Sequence, residues 1–467
     1  MKKYGLIAVL VALLGAGVWA WLYLRSNIDD MADSLPADLT MVGRWDLKRA
    51  MAEYGIEQEK VEQFVEELGE TGIDYTIPGY VFAVQGYLGA IVPLDDDAAF
   101  ENFLLKKSHP TQRQRGMKWS GIDGKWIIGY DENRAMIMGP ALGAELDNLR
   151  NTIAQCMHQR KGDSGKKSPL YAILAQCEEP IAMAGSLQLL CNLPAIGETL
   201  KPLAELPINL TMGFHAEKKR LNLSLTLMSE NANANKFFDQ LDEAFRPING
   251  SLVTSSPSRP FLHLEAGVNG ERLLAILREN PDVCTKLLLA NTLFDADLML
   301  KNISGDLALS MPAMAWLKPA ILLQVEMKSM DFLDNVVDWN DEFTQAAGVR
   351  FAPSSPSRGE VQFQKGWGYD IWKFNTLYYG TKDHTFRLST KKEMAQADAH
   401  TDLLREGVHG SQMKGCRLYA QLNIGELMIL SGQGCHSQQL VLKATDARHW
   451  FLELPDNIKI DLLNMFF

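Results

Sequence analysis

His263 and Glu265 stand two residues apart in Phe261-Leu262-His263-Leu264-Glu265. On a β-strand, residues i and i+2 share one face, so an imidazole and a carboxylate would meet there as an acid–base pair. The plainer account of such alternation is a strand whose polar face is half exposed. Ser164 and Lys167 have the S-x-x-K spacing, which serves catalysis when a helix turns both side chains toward one site. Here the spacing falls in Gly162-Asp163-Ser164-Gly165-Lys166-Lys167-Ser168, a polar loop that also lacks the spacing of a phosphate-binding GxxxxGK[ST] motif. There is no strand-linked GxGxxG, no GxSxG and no HExxH. The nine histidines are scattered. Cys435 and His436 are neighbours, which on a strand point to opposite faces. Asp95-Asp96-Asp97 precede Phe100, Phe103 and Leu104, and acids at that place suit a helix N-terminus better than a cation site. These patterns single out no catalytic residue, no metal ligands and no cofactor.

Aromatic side chains offer a second kind of chemistry. Trp119 and Trp126, with Trp367, Tyr369 and Trp372 later in the chain, fall in two matching stretches of short strands. Gathered on one face they would bind a carbohydrate or a peptide. Turned inward they would be ordinary core.

The elements that must position these residues follow from periodicity. Met117–Ile122, Lys125–Tyr130 and Arg134–Met138 are expected strands, with Asp123-Gly124 as a hairpin turn. Leu142, Leu146, Leu149, Ile153 and Met157 repeat at helical spacing. Leu221, Leu223, Leu225 and Leu227 alternate as one strand face. Pro247 to Pro260 is rich in Ser, Gly and Pro and marks the best boundary. Beyond it the order of elements repeats. The expected class is α+β: an N-terminal transmembrane helix, then two similar halves with largely antiparallel sheets and helices packed on one face. The expected divisions are 1–25 as signal anchor, 26–38 as stalk, 39–248 as first unit, 249–260 as linker and 261–467 as second unit, an internal duplication.

Composition bounds the partners. The 57 acidic residues all lie beyond Arg25, against 46 basic ones in the whole chain of 467 residues, for a net charge of -11. That balance opposes a nucleic-acid partner. The six cysteines at 156, 177, 191, 284, 416 and 435 form no CxxC, and bridges and buried thiols are equally compatible with their spacing. Tyr4 to Leu24 carries no charge and has the length of a membrane span, about 20 helical residues. Lys2 and Lys3 precede it, Trp19, Trp21 and Tyr23 cluster at its far end, and Arg25 follows. The pattern favours an uncleaved anchor over a cleaved signal peptide. It puts the protein in the inner membrane as a single-pass chain, attached through residues 4–24, with the N-terminus cytoplasmic and the bulk in the periplasm.

Ser34-Leu35-Pro36-Ala37-Asp38-Leu39-Thr40 leading into Trp45-Asp46-Leu47, and the later strand Ile303-Ser304-Gly305-Asp306-Leu307-Ala308-Leu309, carry a resemblance. The chain resembles a family of uncharacterised envelope proteins from Bacteroidetes, a domain of unknown function often found in lipoproteins. This sequence lacks the lipobox cysteine, so the apolar span would have to anchor it. The resemblance supplies no catalytic residues. It implies that Asp33-Ser34-Leu35, in the expected stalk, is an O-glycosylation acceptor at Ser34.

The reading that best fits is a membrane-tethered exported protein of unknown activity. It would be a noncatalytic binding or scaffold protein of the bacterial envelope, with an envelope protein or polymer as partner. Two alternatives stand beside it. A carrier or sensor for an apolar ligand would use a cavity between sheet and helices, which 20 methionines would suit. A hydrolase would need a noncanonical site assembled from distant segments.

Overall fold

The computed structural model describes residues 31–53, 58–114, 116–159, 163–188, 205–217, 220–252, 260–292, 295–312, 320–334, 348–355, 357–367, 374–396, 410–425 and 439–454. The chain divides into two compact units, one up to Ser224 and one from Leu225.

In the first unit the strands are β1 (Met41–Trp45), β2 (Gly79–Val84), β3 (Tyr87–Pro93), β4 (Gln112–Gln114), β5 (Met117–Ile122), β6 (Trp126–Tyr130), β7 (Arg134–Gly139), β8 (Ile181–Ser186) and β9 (Asn209–Glu217), with β10 (Arg220–Met228) running across the division. Helices α1 (Leu47–Glu53), α2 (Gln58–Gly69), α3 (Asp97–Lys106), α4 (Glu145–His158) and α5 (Pro169–Leu174) connect them. Strands neighbour one another in the order β4-β5-β6-β7-β3-β2-β1-β8-β9, every pair antiparallel. The Asp123-Gly124 turn forms as its sequence requires, both residues at positive φ. Asp96 caps α3, its carboxylate accepting from the Ala98 and Ala99 amides, so the acid triplet is a helix start.

This sheet is buried on both faces. On one face Val42, Phe82, Ile91, Ile127, Met136 and Met138 pack against Leu149 and Ile153 of α4 and Leu170 and Leu174 of α5. On the other, Ile128, Tyr130 and Ala135 pack against Phe100 and Leu104 of α3. Ile127-Ile128 and Ala135-Met136 show how one strand serves both cores, because successive side chains leave by opposite faces. Each aliphatic side chain so buried contributes about 1.5–3 kcal/mol.

In the second unit the strands are β11 (Phe245–Arg246), β12 (Leu262–Val268), β13 (Ile303–Met311), β14 (Leu322–Met327), β15 (Val349–Ser355), β16 (Arg358–Trp367), β17 (Phe374–Lys382), β18 (Thr385–Ser389), β19 (Leu418–Asn423), β20 (Gln439–Ala444) and β21 (His449–Leu454). Its helices are α6 (Ala232–Ala244), α7 (Gly270–Glu279), α8 (Pro281–Asn291), α9 (Ala296–Asn302), α10 (Lys392–Gln396) and α11 (Gly410–Met413). The neighbour order is β15-β16-β17-β18-β14-β13-β12-β19-β20-β21, again antiparallel throughout. Thus β12 lies between β13 and β19 as β1 lies between β2 and β8. Its apolar face carries Ala266, Val268, Val325, Met327 and Phe386 against Phe332 and Leu333.

The α+β content stands, and the expected class is corrected in its arrangement. The strands join one antiparallel sheet of 21 strands, where two sets of sheets were expected. Backbone donors and acceptors on a free strand edge seek any available partner, and hydrophobic alternation carries no information about where that pairing stops. Helices cover both faces of the first unit's sheet, where one face was expected, because its central strands are apolar at odd and even positions alike. The span expected at 4–24 lies outside the described residues. Among the described residues, no helix is long and apolar enough to cross a membrane.

The expected stalk is also packed where it is described. Met31, Ala32 and Leu35 join the first unit's core. Gln159 donates through Nε2 to the Asp33 and Leu35 carbonyls at 2.7 and 2.8 Å, and the Gly165 amide donates to the Leu35 carbonyl at 2.8 Å. A Cβ on Gly165 would stand 2.3 Å from the Pro36 carbonyl oxygen, so only glycine permits this approach.

Candidate functional site

Two places in the described chain concentrate polar chemistry. The first is the polar face of the second unit's sheet. Cross-strand partners share a face, and the register sets His263 opposite Ser310 on β13 and Gln421 on β19, with Glu265 opposite Tyr419. His263 Nδ1 lies 2.8 Å from Ser310 Oγ, and Nε2 lies 2.9 Å from Glu265 Oε2. The pair that the spacing allowed, against the plainer account, therefore forms, and Ser310, 47 positions further on, joins it. The expectation of a half-exposed face is corrected: His263 is 3% exposed, Glu265 1% and Ser310 0%. The reason is topological, since β12 is a central strand.

The same face continues to Asp306, paired opposite Gly267, and to Glu326 on β14. Asp306 accepts from the backbone amides of Asn249 and Gly250, at 3.1 and 2.8 Å. Glu326 accepts from the Ser251 hydroxyl, the Asn249 side-chain amide and the Asp306 backbone amide. These bonds bolt the turn after β11 onto the sheet, within the stretch read as a boundary. Burial pushes the Asp306 carboxyl up to about 6, against the pull of the two amides and with the charges of Glu265 and Glu326 adding to the rise. Burial also opposes ionisation of Glu326, but the bonds from Ser251, Asp306 and Asn249 outweigh it and its carboxyl is lowered.

Chemically, Ser310, His263 and Glu265 contain a hydroxyl, a base and a carboxylate in series. With Glu265 ionised, Nε2 carries the proton toward it and Nδ1 accepts from the Ser310 hydroxyl. A nucleophile must also reach a substrate, and this hydroxyl has no exposure. Among the described residues, no group of three or more His, Cys, Asp or Glu side chains could hold a metal ion.

The second place is a cleft of about 880 Å³ within the first unit. Segment Pro36–Asp38 lines one side, and Val84, Tyr87 and Met138 of β2, β3 and β7, with Gln85 of the β2–β3 turn, line the floor and lip. The other wall is α4, which presents Asn148, Thr152 and Gln155, with Gln159 just past its end. Those positions are i, i+4, i+7 and i+11, one polar stripe beside the helix's buried Leu149, Ile153 and Cys156. His158 and Asp163 complete the rim. Burial pushes the Cys156 thiol up to about 11, so this residue lines the cleft without nucleophilic character.

The residues singled out in the sequence fare differently. Trp119 is buried in the first core, its ring over Gly129 and its Nε1 donating to the Gln114 carbonyl at 3.2 Å. Trp126 packs over Gly139. Trp119 pairs with Gly129 and Trp126 with Ile122, which places the two tryptophans on opposite faces of the sheet. Trp367 pairs with Phe374 on β17, and Tyr369 and Trp372 lie outside the described residues. Ser34 is 1% exposed, so a sugar there would have to be added before this segment packs. Ser164 is buried while Lys167 is exposed, so the S-x-x-K spacing brings no pair together. Cys156, Cys177, Cys284 and Cys416 are unpaired thiols, and Cys191, Cys435 and His436 lie outside the described residues. The cleft had a readable trace in the sequence, the amide stripe of α4, but only beside an already known core face.

Residues 46–431 match the family model described as Domain of unknown function (DUF4836). No curated protein matches the chain. Among solved structures, crystal form IV of TP0453 aligns over 42% of this chain and 79% of that chain, at 9% identity and a TM-score of 0.27. Crystal form III of TP0453 aligns over 47% and 88%, at 8% identity and a TM-score of 0.28. Scores at that level carry no argument about fold or function.

Proposed function

The chain belongs to the family described as Domain of unknown function (DUF4836), and we propose that it is a noncatalytic binding protein of the bacterial envelope that holds its ligand in the first unit's cleft. The observation that carries this reading is the contrast between the two polar places. The cleft is open and within the about 300–1,000 Å³ usual for ligand sites; its amides and hydroxyls are joined by His158, Asp38 and Asp163, which make no hydrogen-bonded acid–base pair among the described residues. The acid–base constellation around His263 is sealed inside the sheet. The amide and hydroxyl groups among the lining's apolar side chains favour this over a carrier of purely apolar ligands, and the sealed serine favours it over a hydrolase. The charge pattern before Arg25 supports a place for the folded body on the periplasmic side of the inner membrane.

The test uses the full chain in native membranes. A photo-crosslinking residue replacing Thr152 should capture a protein or polymer that the same residue at exposed Leu289 does not. In parallel, a fluorophosphonate probe should leave Ser310 unmodified in the folded protein. Labelling of Ser310, abolished in Ser310→Ala, would overturn the noncatalytic reading. Absence of any Thr152-specific adduct would overturn the cleft as the binding site.

A further inference from the structure

Resting on the cleft as a binding site, we propose that its ligand is a neutral, hydroxyl-rich chain, an oligosaccharide laid along α4 with one ring against Tyr87. Among the described residues the lining holds no lysine or arginine, and its acids and histidine are Asp38, Asp163 and His158. Such a surface gives no electrostatic reason to bind phosphate, sulfate or a polyanion.

The amides carry the argument further. Gln85, Asn148 and Gln155 line the cleft with exposed side chains that make no hydrogen bond among the described residues. Each offers an acceptor and two donors, the combination that matches hydroxyl groups, which both give and receive. Asn148 and Gln155 lie two turns apart on one helical stripe, about 10 Å along the axis at 1.5 Å per residue. That spacing spans two sugar rings. Tyr87 supplies the flat apolar surface that the C–H face of a pyranose ring needs.

An extended peptide fits less well. Peptides commonly bind by adding a strand to a free sheet edge. The strands that floor the cleft have no free edge: β2 lies between β1 and β3, β3 between β2 and β7, and β7 between β3 and β6.

Gln85 adds an independent sign. It precedes Gly86 in the β2–β3 turn, with φ of 50° and 87° at the two positions. Such turns favour Asn, Asp or Gly at the first position, and a longer side chain there is strained. The chain holds a glutamine where glycine would be more stable, and its amide stands on the lip of the cleft.

The experiment is calorimetric titration of the full-length protein with neutral hexasaccharides of β-1,4-linked glucose, N-acetylglucosamine, mannose and xylose. A neutral mixed-sequence decapeptide and inorganic polyphosphate serve as controls. At least one saccharide should bind saturably. Tyr87→Ala and Gln155→Ala should each weaken it tenfold or more. Gln85→Gly should raise the thermal midpoint while weakening binding, a pairing that a purely structural role would not produce. Binding of the decapeptide or polyphosphate, with no saccharide binding, would overturn the ligand class and leave the cleft standing. Saccharide binding unaffected by all three substitutions would overturn the site. No binding by any probe, with the Thr152 crosslinker still capturing a partner, would likewise reject the saccharide while sparing the binding reading.

Discussion

Asp306 is an acid held where ionisation is costly. It is fully buried, its carboxyl is pushed from 3.8 up to about 6, and its partners are two backbone amides. Below about pH 3 it is protonated in both folded and unfolded chains. As pH rises, the unfolded chain releases the proton first, so folding loses stability until the folded carboxyl also ionises near pH 6. A shift of about two units corresponds to about 3 kcal/mol lost across that window. Asp306→Asn cannot titrate. It forfeits part of the acceptance from Asn249 and Gly250, about 1 kcal/mol at every pH. The measurement is urea unfolding of both proteins from pH 4 to pH 8, followed by the second unit's tryptophan fluorescence. The stability of the variant relative to the parent should move in the variant's favour by about 2–2.5 kcal/mol between pH 4 and pH 7. Every other acid titrates in both proteins and cancels in the difference, apart from Glu265 and Glu326, whose charges couple to Asp306. A difference that stays constant with pH, or moves the other way, would refute the reasoning.

Two further substitutions probe the first unit. Arg44→Met should cost about 2–3 kcal/mol, because its guanidinium donates to the Cys177 and Glu179 carbonyls at 2.7 and 3.0 Å and methionine leaves both unpaired; chemical denaturation reads this directly. Gly129→Val should cost about 1–3 kcal/mol by overpacking, since a Cβ there would stand 2.7 Å from Ile153 Cγ2 and 2.8 Å from the Trp119 ring. An unchanged thermal midpoint would show that this tryptophan is free to move.

Local chemistry was legible wherever one segment decided it. Asp123-Gly124 turns because its residues tolerate positive φ, and Asp96 caps α3 because its carboxylate reaches two amides of its own helix. The strands at 117–122, 126–130 and 134–139 follow from alternation between such turns. His263 and Glu265 share a face because a strand has period two. None of these depends on a distant residue.

What the tertiary structure decided is what lies on the other side of each face. Leu223 and Leu225 alternate as one apolar strand face, yet both are half-buried, while Asn222, next to Leu223 on the opposite face, is 8% exposed. Trp119 and Trp126 fall seven residues apart in sequence, but the hairpin between them turns them to opposite faces. Ser310 reaches His263 only because β12 and β13 pair in one register, and Ser34 is buried only because Gln159 and Gly165 hold its segment down. The cleft exists because the segment Pro36–Asp38 is held against the fold, facing α4, rather than extending away from it. Sequence determines the period and the ends of elements, which are properties of consecutive residues. Burial and register belong to pairs far apart in the chain, and no local pattern encodes them.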